Sequence, residues 1–172
     1  MNILNTPDDP RHAVADPMQA SPFYRFTPWL LLGAAVAYVA VQYGSLPAEV
    51  PMHWNGAGEI TRRGAKVTVW LLPGIAALTI YLLGLAARTP FDLFNYPVKV
   101  TAENAAAQHR ITLEMLASMR IVIALLFGAI SYFVVASAVS GENRFHEGIF
   151  WVLLAGLFGV IGLGIWRAYQ SR

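Results

Sequence analysis

A single histidine with two nearby carboxylates is the feature of the sequence that could most readily do chemistry. His53 follows Glu49 by four residues and precedes Glu59 by six. Imidazole and carboxylate groups bind metals and exchange protons near neutral pH, so these three residues form a candidate metal or acid–base site. Their spacing matches no tight zinc motif. A structural role for His53, stacked on Trp54, is therefore favoured over metal binding, and no cofactor is predicted.

The loop around this histidine is expected to be ordered. Asn55-Gly56 favours a tight turn with positive φ, and Gly58 adds a second position that permits it. The flanking residues Met52–Trp54 and Glu59–Thr61 are predicted to pair as a short hairpin on the membrane face.

A second polar segment lies near the middle of the chain. Asn95-Tyr96-Pro97 is typical of a turn, and Thr101 is a plausible N-cap with Glu103 in the first helical turn. Because neither Gly nor Pro occurs between residues 102 and 127, one helix is predicted to run on into the following apolar run. Four polar residues could converge there, although turn capping and solvation are their simpler roles: Asn95, Asn104, Gln108 and Arg110.

Composition places both polar segments at the edges of a membrane. The 172 residues are 56% hydrophobic and 13% charged, whereas soluble domains carry about 25% charged residues. Four apolar runs cover residues 28–44, 67–87, 121–140 and 149–168, and Arg167, next to the end of the last, is the one charged residue in them. A span of the hydrocarbon core needs about 17–25 residues. The predicted fold is an all-α integral membrane protein with four transmembrane helices, a structured outer loop and a helical cytoplasmic extension of the third helix.

The loops predict the domain organisation and the orientation. Residues 1–22 are acidic and proline-rich and are predicted to be a flexible tail, while residues 23–172 form one four-helix membrane domain. Both termini and the central loop share one side, which carries eight of the twelve Lys and Arg residues. The positive-inside rule therefore places that side in the cytoplasm, with the chain a multi-pass membrane protein.

Several classes of function are disfavoured by the same residues. The sequence has no cysteine and no G-x-S-x-G motif, and His146-Glu147 fails H-E-x-x-H because Phe150 occupies the last position. A proton- or ion-coupled transporter normally has an ionisable group at membrane depth, and the interior of the four runs has none. The sequence has no basic run with interleaved aromatic residues, so a nucleic-acid-binding function has no support.

The two polar segments together resemble a bacterial membrane family. The outer loop contributes Leu46-Pro47, Val50-Pro51-x-His53-Trp54-Asn55, Gly58 and Lys66, with Pro73 in the next run. The central segment contributes Asn95-Tyr96-Pro97-Val98-Lys99-Val100-Thr101, Glu103-Asn104 and Gln108. In these residues the chain resembles the family catalogued as domain of unknown function 1648, which is related to the N-terminal part of SdpI-type immunity proteins.

The resemblance implies a non-enzymatic immunity, sensing or signalling protein of a bacterial inner membrane. Its outer loop would recognise a peptide toxin or an envelope ligand, and its central helix would contact a membrane or cytoplasmic protein partner. Two alternatives stay open at this point: a metal-dependent membrane enzyme that uses His53, and an accessory subunit of a transporter.

Overall fold

Long helices dominate the architecture. The structure is a computed structural model that describes residues 6–56 and 58–172. In chain order its elements are a short helix α1 (Pro17–Ala20), α2 (Pro22–Gln42), strands β1 (Glu49–Trp54) and β2 (Ile60–Ala65), α3 (Leu71–Ala86), α4 (Ala105–Ser140) and α5 (Glu147–Gln170). Short 3-10 turns of up to five residues connect these elements. One of them, Lys66–Trp70, lies directly before α3.

Four of the helices are long and apolar enough to cross a membrane. These candidate spans are Pro22–Ser45, Lys66–Ala86, Ala105–Ser140 and Glu147–Gln170. Many large apolar side chains on their outer faces are exposed, among them Leu30, Leu78 and Phe158. Exposed apolar patches of this extent are rare on soluble monomers, and lipid covers them in a membrane. The predicted all-α, four-helix membrane architecture is confirmed.

The first helix begins earlier than the sequence predicted. Its predicted start, Pro28, lies inside a helix that starts at Pro22. The boundary at residue 28 was the start of the apolar run, and the helix extends six residues further because Arg25 and Thr27 interrupt the apolar pattern without ending the helix. In the structure Pro28 is buried within the helix, where neighbouring helices can compensate for the lost hydrogen bond.

The helix α4 is the centre of the bundle. At 36 residues it is about 54 Å long, well beyond a hydrocarbon core of about 30 Å, so its first turns extend past the span as predicted. The other three long helices all pack against it. Near its middle Ile123 and Ala124 contact Leu32 of α2 and Ile80 of α3. In the most apolar 18-residue stretch of α4, half of the residues are buried, compared with 6% in the corresponding stretch of α5. The helix α5 contacts the bundle mainly through α4.

The N-terminal segment differs from the predicted flexible tail. Residues 1–5 lie outside the described part of the chain, whereas residues 10–13 form a 3-10 turn and α1 follows. Asp9 and Arg11 form a buried ion pair with a distance of 2.7 Å, and Met18 packs against Leu113 and Ala117 of α4. The packing of Met18 on α4 is long-range and leaves no local apolar periodicity, which is why the sequence predicted a tail.

The two strands form the predicted hairpin, which is longer than expected and irregular. Pairing is antiparallel, with Val50 opposite Gly64 and Pro51 opposite Arg63. The register then shifts on both sides of His53, which lies opposite Arg62. Such bulges bend a strand and change the direction of its side chains.

Candidate functional site

The turn of the hairpin is held by one asparagine and one glutamate. The Asn55 backbone N–H donates to the Glu59 carbonyl at 3.0 Å, and the Asn55 Nδ2 group donates to a Glu59 carboxylate oxygen at 2.8 Å. In return the Glu59 N–H donates to Asn55 Oδ1 at 2.9 Å. The positive φ expected near Asn55-Gly56 falls on Gly58 instead, at 77°. Asn55, Gly58 and Glu59 are therefore turn-forming residues in this structure.

The histidine bonds across the hairpin. His53 Nδ1 lies 2.6 Å from the Thr61 hydroxyl oxygen, and both side chains are exposed. The expected stacking of His53 on Trp54 does not occur. Glu59 is engaged by Asn55, and Glu49 pairs with Ala65 at the far end of the strands. Within residues 6–56 and 58–172, no group of three His, Asp or Glu side chains has the geometry to hold a metal ion, so the proposed ligands do not converge.

Aromatic packing fixes the hairpin to the turn between α4 and α5. The Trp54 ring stacks on Phe145, with 5.2 Å between centroids and an angle of 18°. Phe145 in turn meets the edge of Phe133 in α4. Asn143 Nδ2 donates to the carbonyl oxygen of Gly58. The loop is therefore attached to the turn between α4 and α5, although Gly58 is separated from Asn143 by 85 residues in sequence.

The base of the hairpin is fixed to the start of the second span. Lys66 closes the strand pair through its N–H, which donates to the Ala48 carbonyl at 2.9 Å. Its Nζ lies 4.8 Å from the centre of the Tyr43 ring, a cation–π contact. Pro73 is buried in the first turn of α3, where a missing N–H costs little because the first four N–H groups of a helix lack partners.

The second strand of the hairpin, β2, is polar and basic. Thr61, Arg62 and Arg63 are all exposed on β2. Neither arginine forms an ion pair with any residue that the structure describes. The strand that packs against α4 is β1, through buried Val50 and Pro51. The arrangement presents two unpaired positive charges on a strand held by the membrane helices.

The predicted residues of the inner segment differ in how far they are exposed. Asn95 and Pro97 are exposed, whereas the Tyr96 hydroxyl donates to the Phe91 carbonyl at 3.2 Å and lies 3.1 Å from His109 Nδ1. Burial raises the pKa of Tyr96, and the neighbouring Arg11 guanidinium opposes that rise.

Thr101 and Asn104 close the turn before α4 by reciprocal hydrogen bonds, in which the Asn104 N–H donates to Thr101 Oγ1 at 3.4 Å, as the predicted N-cap at Thr101 requires. Asn104 Oδ1 accepts from the Thr101 N–H at 2.8 Å, and Asn104 Nδ2 donates to the Lys99 carbonyl at 3.0 Å. Glu103 is exposed, and a hydrogen bond with Thr101 lowers its pKa. Gln108 is buried and its Nε2 group donates to the Ala168 carbonyl at 2.8 Å, which joins α4 to the end of α5. Asn95 and Arg110 are exposed, which fits the solvated roles that were favoured over a convergence of the four polar residues.

Sequence reasoning missed the residues that depend on distant partners. On the outer side these are Asn143 and Phe145, which hold the hairpin. On the inner side Arg11 lies over the Phe91 ring at 4.1 Å. An aromatic residue in a short polar turn, as at Phe145, was the one signal that could have indicated packing against another aromatic side chain.

Comparison with known proteins gives a family for part of the chain. No curated protein and no solved structure matches it. The match that is found covers most of α2, the hairpin and the start of α3, whereas the inner segment at residues 95–108 lies outside it. Residues 30–77 match the family model described as Domain of unknown function (DUF1648), as the motifs around His53 predicted.

Proposed function

We propose that this chain is a non-enzymatic recognition protein of a bacterial inner membrane, whose hairpin binds an extended acidic peptide on the outer side. The observation that carries the proposal is the basic strand β2, which is exposed yet held rigidly by the helices. Immunity to a peptide toxin, as in SdpI-type proteins, is the biological role that fits such a site.

The attachment of the hairpin supports a binding role. An isolated two-stranded hairpin is marginally stable in water. Here the Trp54–Phe145 stack, the Asn143–Gly58 hydrogen bond and the Lys66–Tyr43 contact fix it at three points. A binding surface that is ordered before the ligand arrives loses less entropy on association.

The edge and the charge of β2 favour an extended acidic partner. One edge of β2 pairs with β1, and no other described strand covers the second edge. An extended peptide can add to such an edge through backbone hydrogen bonds. Arg62 and Arg63 would then face acidic side chains of the peptide, and His53 and Thr61 offer hydrogen-bonding groups beside them.

The proposal is tested by protection in living cells. A strain that lacks the gene is exposed to the peptide fraction of its own culture medium, with a protease-digested fraction as the control. The natural chain should restore growth. The double variant Arg62→Ala with Arg63→Ala should raise sensitivity about tenfold or more, because each lost charged hydrogen bond is worth about 1.5 kcal/mol.

A matched variant makes the test specific. Arg110→Ala with Arg172→Ala removes two exposed arginines on the opposite side and should protect like the natural chain. Equal amounts of each protein in the membrane are verified by immunoblot. Full protection by the Arg62/Arg63 variant would refute recognition by the hairpin.

A further inference from the structure

A cavity at the opposite end of the molecule from the hairpin is lined by arginines. It has a volume of about 740 Å³ and lies among α1, α2, α3 and α4. Arg25, Arg88 and Arg120 contribute to its walls, together with a single carboxylate from Asp16. None of these residues belongs to the hairpin, and the recognition proposed above does not use them.

Arg120 is a buried cation, and most of the N–H donors of its guanidinium have no acceptor among the described residues. Its side chain is on α4 and the residue is 5% exposed. Its Nε donates to the Ile80 carbonyl of α3 at 3.1 Å, and no acceptor for its two Nη groups exists among the described residues. A buried guanidinium normally has partners for its remaining N–H groups. These groups border the cavity, which leaves them available to an anion.

A glycine on α3 makes room for this guanidinium. A Cβ atom at Gly84 would lie 3.6 Å from Arg120 Cζ and 3.7 Å from its Nη2. A longer side chain at this position would occupy the space in front of the guanidinium. The Trp29 ring centre lies 5.9 Å from Arg120 Cζ on another side. The guanidinium is thus held between two helices with its outer N–H groups facing the cavity.

The charge balance of the cavity is positive. Asp16 already accepts hydrogen bonds from the Met18 N–H at 2.9 Å and from Gln19 Nε2 at 3.2 Å. It forms no ion pair with the three arginines. Three cations against one engaged carboxylate leave two positive charges in excess, which suits an anion with several acceptor oxygens.

The cavity lies at the depth of lipid headgroups. Arg88 follows the end of α3 by two residues, and Arg120 comes directly before the third apolar run. Trp29, Tyr81 and Leu85 are exposed beside the cavity. Aromatic residues of this kind are enriched at the membrane interface, and basic pockets between transmembrane helices bind phospholipid headgroups. The exposed apolar residues would accommodate the acyl chains.

We infer that Arg25, Arg88 and Arg120 form a binding site for the phosphate of an anionic phospholipid. The phosphate oxygens accept from the free Nη groups of Arg120, and the two exposed arginines add positive charge that attracts the headgroup. Such a lipid would fasten α2, α3 and α4 together on the side of the termini.

Native mass spectrometry of the full-length chain in detergent tests this site. Phosphatidylglycerol is titrated against diacylglycerol, which lacks phosphate, and against inorganic phosphate, which lacks a lipid. Phosphatidylglycerol should bind, diacylglycerol should not, and excess inorganic phosphate should not displace the lipid. Arg25→Gln with Arg88→Gln should weaken binding about thirtyfold, since each basic residue near the surface contributes about 1 kcal/mol and the two together about 2 kcal/mol.

Two further variants make the outcome decisive. Arg110→Gln with Arg172→Gln removes two exposed arginines on the same side outside the cavity and should bind like the natural chain. Arg120→Lys keeps the charge but loses the two-pronged geometry, and it should also weaken binding. Unchanged binding in both cavity variants would overturn the site, and displacement by inorganic phosphate would overturn its assignment to a lipid.

Discussion

At the scale of single residues, the hairpin turn relies on backbone geometry as well as on side chains. Gly58 has φ of 77°, a region that residues with a Cβ atom rarely adopt. Its missing side chain also leaves space for Asn143, whose Nδ2 would lie 3.0 Å from a Cβ atom there. The same residue thus permits the turn and its attachment to the α4–α5 connection.

A substitution at this glycine should loosen the hairpin. Gly58→Ala is expected to cost about 1–2 kcal/mol, because it adds left-handed strain and crowds Asn143. Unfolding in mixed detergent micelles, followed by circular dichroism, measures the loss. Gly56→Ala is the matched control, since no atom lies within 4 Å of its Cβ position and its φ is not positive. Equal stability of the two variants would contradict this account of the turn.

The metal or acid–base site considered as an alternative at His53 shows what residue types and spacing alone cannot decide. The sequence placed Glu49, His53 and Glu59 close enough to suggest a site. Strand pairing then separates them, because Glu49 lies at one end of the hairpin and Glu59 is held in the turn. Only the register of the strands, shifted by two irregularities around His53, decides which side chains meet.

At the scale of elements, the sequence predicted the four spans and the hairpin from local patterns. Apolar runs of spanning length and a turn signal between extended residues are short-range features. The packing of Met18 on α4 and of Trp54 on Phe145 has no such signature, because each joins residues distant in sequence. For this reason the N-terminal segment and the anchor of the hairpin could not be predicted.

The anchor of the hairpin can be tested at this scale. Phe145→Ala removes the ring that stacks on Trp54 and should increase amide hydrogen exchange throughout β1 and β2, with exchange in α3 unchanged. Loss of an aromatic pair costs about 0.5–1.5 kcal/mol beyond the buried area. Phe158→Ala is the control, since that ring is exposed on α5. Unaltered protection of the strands in the Phe145 variant would show that the stack does not hold the hairpin.

At the scale of the whole molecule, the helices separate two polar regions. The hairpin and the α4–α5 turn lie at one end, and the arginine cavity and the capped start of α4 lie at the other. The spans between these two regions carry few polar groups, and their role is structural. This division matches the recognition surface proposed on one side and the lipid site inferred on the other.

The central claim is that a hairpin held by the membrane helices is displayed on the outer side, and its exposure can be measured directly. The chain has no cysteine, so a single introduced cysteine supplies the one thiol that a maleimide can label. Arg62→Cys lies on the hairpin and Lys99→Cys on the opposite side, and both positions are exposed. A membrane-impermeant maleimide is applied to intact spheroplasts and to permeabilised ones. Labelling of Arg62→Cys in intact spheroplasts and of Lys99→Cys only after permeabilisation is the expected result, and the reverse pattern would contradict recognition from outside.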